Sequence, residues 1–143
     1  MRATDRSSAV QELLTPLEEQ HIIDSSQECL ESILKRERRM STGVGKGIAL
    51  PHGLSKSVKE VALVMGISPD GIDFKAVDGA LCHIFILLLS PEQQPDKHLK
   101  LLGRITKLLS DGSLRSALVE TSTPGEVLEI LRKWETEGED API

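Results

Sequence analysis

Aromatic residues are nearly missing from this sequence. They make up 2% of its 143 positions, and tyrosine is absent. The core must therefore be aliphatic, and a surface that stacks on bases or sugar rings is poorly supported. Cysteine is as scarce: Cys29 and Cys82 lie far apart, without CxxC spacing, each inside an apolar pattern. They read as buried thiols in a reducing compartment, not as a disulfide or redox pair. Positive charge is not in excess. The net charge of −5 argues against nucleic acid, whose binders need a basic surface to replace counterions at phosphates. No basic segment followed by an apolar stretch opens the chain, and no apolar run approaches about 18 residues. A membrane span and an export signal are therefore not expected, and the expected location is the cytoplasm. The four histidines are scattered with no HExxH and no Cys pair, so metal is not expected. There is no Gly-x-Ser-x-Gly elbow for serine hydrolysis.

What is present suits one globular domain over residues 1–143, without repeats. Its 39% hydrophobic and 27% charged residues are ordinary, and a globule of this length buries roughly 70% of its unfolded surface without a staple. Val10, Leu13, Leu14 and Leu17 repeat with helical spacing, which predicts a helix over about Asp5–Leu17, capped by Asp5. A second helix is expected over about Ser25–Arg38, with Cys29, Leu30, Ile33 and Leu34 inward. The segment from Ser41 to Gly47 is too glycine-rich for helix. Strands are expected at Glu60–Ser68 and Leu81–Leu89, the second nearly continuous apolar, as for a central strand covered on both faces. Gly71–Phe74 and Asp78-Gly79 supply turns between them. Helices follow over about Pro95–Leu109, with a stripe of Leu101, Leu102, Ile105, Leu108 and Leu109, and over Ser113–Glu120. The last begins at Thr123-Pro124-Gly125-Glu126, a capping-box pattern, and turns Val127, Leu128, Leu131 and Trp134 inward. An acidic tail follows. Helices before and after a strand-rich middle imply helices on both faces of one sheet.

Val44-Gly45-Lys46 echoes a phosphate-binding loop, but Met40 stands where that motif has its first glycine and Gly47 replaces its hydroxyl. The segment also leads into a strand pattern, not a helix, so nucleotide binding is not expected. The glycines instead free backbone N–H groups and permit close approach of another molecule, or they simply make a tight turn. His52 lies between Pro51, which fixes the backbone before it, and Gly53, which removes cover beyond it. Its imidazole is held yet exposed on one edge, which suits a nucleophile that meets another protein's phosphate, although a lone histidine is more often a plain surface or core residue. Residues 98, 102, 105 and 109 share one helix face, so His98 points inward from a helix N-terminus, where an anion is favoured. It reads as a hydrogen-bond donor to a phosphoryl group, or as a satisfied half-buried histidine. Arg36 is the natural cation, although Arg36-Glu37-Arg38-Arg39 also suits a solvated helix end. Lys46 is a weaker candidate. His21 looks like surface and His83 structural.

Arg36-Glu37, then the unbroken run Ser41-Thr42-Gly43-Val44-Gly45-Lys46-Gly47-Ile48-Ala49-Leu50-Pro51-His52-Gly53, closely resembles the signature of the IIA domain of the fructose/mannitol class of the bacterial sugar phosphotransferase system. The nitrogen-regulatory IIA protein shares that signature. The match continues through Gly71–Phe74, Asp78-Gly79, the Leu-rich strand and His98-Leu99. The resemblance implies a three-layer α/β/α sandwich around a mixed sheet. It implies that His52 accepts a phosphoryl group at Nε2 from the phosphohistidine of a small HPr-like carrier, then passes it to a IIB domain or uses it as a regulatory mark. His98 and Arg36 would be its companions, with Thr42 lining the pocket and Gly43 and Lys46 as phosphate-binding candidates. No cofactor is implied, because exchange between two histidines is nearly balanced in energy and needs positioning and charge neutralisation above all. Two departures stand out. The family's first strand is very short or absent, as in a fragment of a longer protein or a chain that has lost an edge strand, and Met40 stands where the family often has glycine.

The resemblance leaves a transport phosphocarrier and a regulatory module whose phosphorylation state selects its partner. A non-catalytic domain of this fold would have no use for His52 and His98 together. Sugar specificity is beyond the sequence, since a IIA domain does not touch the sugar.

Overall fold

Helix α1 (Arg6–Glu19) starts where the sequence places it, because the Asp5 carboxylate accepts the Ser8 N–H at 2.8 Å. It runs about two residues beyond the expected end, until His21 at a φ of +59° turns the chain away. Helix α2 (Ser26–Arg39) is capped by Ser25, whose hydroxyl accepts the Glu28 N–H at 3.2 Å. These assignments come from a computed structural model, which describes residues 1–39, 43–121, 123–126 and 129, with 43 and 44 through their backbone alone.

The described part of the glycine-rich segment, from Gly43 on, forms a hairpin. Strands β1 (Gly43–Gly45) and β2 (Ile48–Ala49) pair antiparallel around Lys46 and Gly47. Both turn residues have positive φ, at +59° and +77°, as the tightest hairpins demand. Strand β3 (His52–Ser55) continues β2 after Leu50-Pro51. Strand β4 (Ala62–Ile72) outruns the expected end at Ser68. The turn expected at Gly71–Phe74 therefore begins inside the strand: Gly71 adopts a φ of +83° within a register shift between Ile67 and Ile72, where the missing N–H of Pro69 costs no ladder bond. Strand β5 (Cys82–Pro91) matches its expected span closely.

β5 is the axis of the sheet. β4 pairs with it antiparallel, while β2 and β3 pair with it parallel on the other edge and β1 flanks β2, so the sheet is mixed as expected. Alternate β5 side chains serve opposite layers. Phe85, Leu87 and Leu89 pack with Leu13, Leu14 and Ile33 under α1 and α2. Ile84 and Ile86 pack with Ile48, Leu109, Leu114 and Leu118 under α3 (Pro95–Leu109) and α4 (Gly112–Val119). This is the expected α/β/α sandwich. The α3 stripe is less buried than its pattern suggests: only His98 and Leu109 are fully covered, and Leu102, Ile105 and Leu108 are half-buried. Thr123 accepts the Glu126 N–H at 3.2 Å, as the capping pattern predicts. Val127, Leu128, Leu131, Trp134 and the acidic tail lie outside the described residues.

Gly53 sets the distance between α2 and the sheet. A Cβ there would stand 3.3 Å from Ser32 Oγ and 3.6 Å from an Ile33 side-chain carbon. The Ser32 hydroxyl meanwhile donates to the Leu54 carbonyl at 3.3 Å. By contrast, a Cβ on Gly103 in α3 would meet nothing within 4 Å. Gly53→Val should lower unfolding stability by about 1–3 kcal/mol through overpacking, while Gly103→Ala should raise it by about 0.5–1 kcal/mol. Urea unfolding measures both, and equal effects would contradict the close approach of α2.

Candidate active site at His52

The residues between β2 and β3 aim the imidazole. Pro51 has no N–H to give, but its carbonyl accepts from Leu88 at 3.0 Å. The next residue, His52, therefore stands opposite Leu88 in the parallel ladder. Gly53, opposite Leu89, faces α2, which puts the His52 side chain on the sheet face covered by α3. The ring turns back on its own chain, with Nδ1 2.8 Å from the Leu50 carbonyl oxygen. A carbonyl only accepts, so Nδ1 carries the hydrogen and the lone pair of the neutral ring is at Nε2. Burial lowers the proton affinity of His52 below the ordinary histidine value, the Leu50 hydrogen bond partly offsets this, and the Arg36 charge deepens it. Nε2 thus carries a free lone pair at neutral pH and is able to act as a nucleophile.

His98 comes from the first turns of α3 to lie beside it. The ring centroids are 5.5 Å apart at an interplanar angle of 45°. His98 is 5% exposed, and its Nδ1 lies 2.7 Å from the hydroxyl of Ser90, near the end of β5. Burial, reinforced by His52 and Arg36, pushes its pKa down to about 4, so it too is neutral at physiological pH. Arg36, in the last turn of α2, completes the group. It lines a cleft of about 280 Å³ with Ser32, Lys35, Arg39, His52, Gly53 and Leu54, so three basic residues border the space next to His52. Such an arrangement can accept a dianionic phosphoryl group on nitrogen and neutralise its oxygens without a metal.

The structure therefore brings His52, His98 and Arg36 together. Gly43 lies in β1, opposite Ala49, and Thr42 lies outside the described residues. Lys46 is not part of the cluster. It occupies the hairpin turn, its N–H bound to Asp78 at 3.1 Å. It lines a different cleft with His83 and Arg115. Six residues of extended chain separate it from His52, roughly 20 Å at strand rise. The arginine run divides: Arg38 lines another cleft with Arg6 and Asp73, and Glu37 is buried and pairs with Arg6 at 3.7 Å. His83 is held by its Nδ1 to the Ser68 carbonyl at 3.0 Å, a structural contact, and His21 is exposed. Both cysteines are buried with thiol pKa values raised by burial, Cys82 to about 11. Among the described residues no cluster could hold a metal ion. Sequence reasoning missed Ser90 and the Leu50 carbonyl, and it gave Lys35 no role. The one signal for Ser90 was a lone hydroxyl ending an otherwise apolar strand.

The depressed pKa of His98 has a consequence for stability. The unfolded chain binds a proton at this histidine below about its ordinary value of 6.5, whereas the folded ring stays neutral until about 4. The unfolded state takes up protons first, so stability is full above about 6.5 and falls as pH drops through that window. Between pH 7 and pH 5 the wild type should lose about 2 kcal/mol more than His98→Gln does. Denaturant unfolding at the two pH values checks this, and parallel losses would contradict a buried neutral His98.

The family model described as phosphoenolpyruvate-dependent sugar phosphotransferase system, EIIA 2, matches residues 1–134. The fructose-specific EIIABC component of the phosphotransferase system of Bacillus subtilis (strain 168) is 30% identical over 133 residues, which are 93% of this chain and 21% of that protein. The chain thus spans about a fifth of that relative's length. The crystal structure of nitrogen regulatory protein IIA-Ntr from Neisseria meningitidis is similar with a TM-score of 0.83 and 30% identity, covering 92% of this chain and 89% of that one. The mannitol IIA domain of Escherichia coli, solved in complex with phosphorylated mannitol IIB, has a TM-score of 0.78 at 23% identity, covering 93% and 91%, and supports the fold alone. With the family model spanning nearly the whole sequence, the chain belongs to the EIIA 2 family of the phosphoenolpyruvate-dependent sugar phosphotransferase system.

Proposed function

We propose that this chain is a phosphoryl carrier in which His52 Nε2 takes the phosphoryl group from the phosphohistidine of an HPr-like protein. The single observation behind this reading is the hydrogen bond from Nδ1 to the Leu50 carbonyl at 2.8 Å, which leaves the other ring nitrogen with the lone pair. The phosphorus–nitrogen bond of the donor breaks and its electron pair returns to the donor imidazole. The new bond forms to Nε2 of His52, while Nδ1 keeps its hydrogen on Leu50. Arg36, with Lys35 and Arg39 near it, neutralises the transferring oxygens, and His98 donates to one of them. Thr42 and Gly43 are proposed pocket residues on the family resemblance; Lys46 is left out because of its distance.

The next acceptor is a IIB domain or a regulatory target. The mannitol IIA of Escherichia coli forms a complex with phosphorylated mannitol IIB. The likeness to IIA-Ntr at 30% identity favours the regulatory use as a second reading. In either case the proposal puts the chain in the cytoplasm with its donor. No helix among the described residues is long and apolar enough to cross a membrane.

Incubation with phosphoenolpyruvate, enzyme I and an HPr-type carrier should add one acid-labile phosphate that peptide mapping assigns to His52. His52→Ala should accept none and keep its fold, while His98→Ala should slow acceptance by on the order of tenfold or more. Full-rate labelling of the His52 variant would overturn the nucleophile assignment. Unchanged kinetics in the His98 variant would return that residue to a packing role.

A further inference from the structure

Ser90 is fully buried, and its side chain meets only one polar partner among the described residues, the Nδ1 of His98 at 2.7 Å. It belongs to the β5 register that carries Ile84 and Ile86 toward α3 and α4, where a further aliphatic side chain would be expected. Its backbone is occupied in the ladder opposite Leu54. The hydroxyl is therefore committed to one contact, and that contact has two possible directions. If Nδ1 carried the hydrogen and donated to Oγ, the hydroxyl hydrogen of this fully buried residue would be left without an acceptor among the described residues, an expensive arrangement. If the hydroxyl donates to Nδ1, its one hydrogen is used and the ring nitrogen is satisfied as an acceptor.

We propose that Ser90 is a positioning residue whose O–H donates to His98 Nδ1 and so fixes His98 in the tautomer with its hydrogen on Nε2. The two imidazoles of the site then hold complementary states set by different partners. A carbonyl, which can only accept, gives His52 a lone pair on Nε2. A hydroxyl with no other acceptor among the described residues gives His98 a hydrogen on Nε2. One ring is prepared to bond phosphorus and its neighbour to donate to a phosphoryl oxygen, and neither needs to be charged beforehand. Burial, which holds His98 neutral at physiological pH, is compatible with this role. The purpose assigned to the tautomer rests on the phosphoryl-carrier reading; the tautomer itself does not.

The test is a long-range proton–nitrogen NMR spectrum of the ¹⁵N-labelled chain at pH 7, with phosphoryl acceptance from an HPr-type carrier measured alongside. In the wild type, His98 should show an unprotonated Nδ1 and a protonated Nε2, and His52 the reverse. Ser90→Ala should shift the two His98 nitrogens toward a mixture of tautomers and slow acceptance several-fold, leaving His52 as it was, and Ser90→Thr should restore both readouts. A wild-type His98 protonated on Nδ1 would overturn the proposal, with no variant needed. So would Ser90→Ala with unchanged nitrogen shifts. If the wild type accepts no phosphate while the nitrogen pattern holds and responds to Ser90→Ala, the carrier reading fails and the Ser90 assignment stands.

Discussion

The parallel register between residues 48–55 and β5 is the constraint on which the site depends. Ile48 stands opposite Ile84, Ala49 opposite Phe85 and His52 opposite Leu88, with the same offset throughout. Because strand side chains alternate, this offset sends Gly53 toward α2 and His52 toward α3. A slip of one residue would exchange them, placing the imidazole under Ser32 and Ile33 and a glycine next to His98. The apolar run of β5 fixes the offset by burying one set of side chains in each layer. The site is thus assembled by core packing before any polar group contributes. Gly53 then lets α2 come close enough for Arg36 to reach the cleft.

Electrostatics follow from that placement. A net charge of −5 describes the whole chain, yet the cleft at His52 gathers Lys35, Arg36 and Arg39. Two imidazoles lie near these cations, and both lose proton affinity, chiefly through burial; Arg36 adds to the effect in each, after His52 in the case of His98. The basic residues of α2 supply the positive charge, while the histidines stay neutral and available. This division suits a site that holds a phosphoryl dianion for a time and then releases it. A protonated His52 could not accept the group, and an unneutralised cleft would not hold it.

Much of this was legible in the sequence, and the parts that were not share a cause. The Asp5 cap, the central apolar strand and the pairing of His52 with His98 followed from local signals: a capping carboxylate, an unbroken aliphatic run, and a histidine on the buried stripe of a helix. Gly71 was misleading because a turn and a bulge both use glycine, and only pairing with β5 separates them. Lys46 was misleading because closeness in sequence is not closeness in space on an extended chain; six residues carry it to the far end of the strand. Ser90 showed only as a lone hydroxyl ending an apolar strand, because its role depends on which helix lies over β5, and that is a tertiary fact. The Leu50 carbonyl left no sequence signal, since every residue has one.

The central claim is that the chain's own backbone decides which nitrogen of His52 reacts. The most direct measurement is the isomer of phosphohistidine formed, read from the ³¹P and ¹⁵N resonances of the phosphorylated chain. The Leu50 hydrogen bond predicts phosphorus on Nε2, with Nδ1 still protonated. Phosphorus on Nδ1 of His52, or on another histidine, would contradict the account.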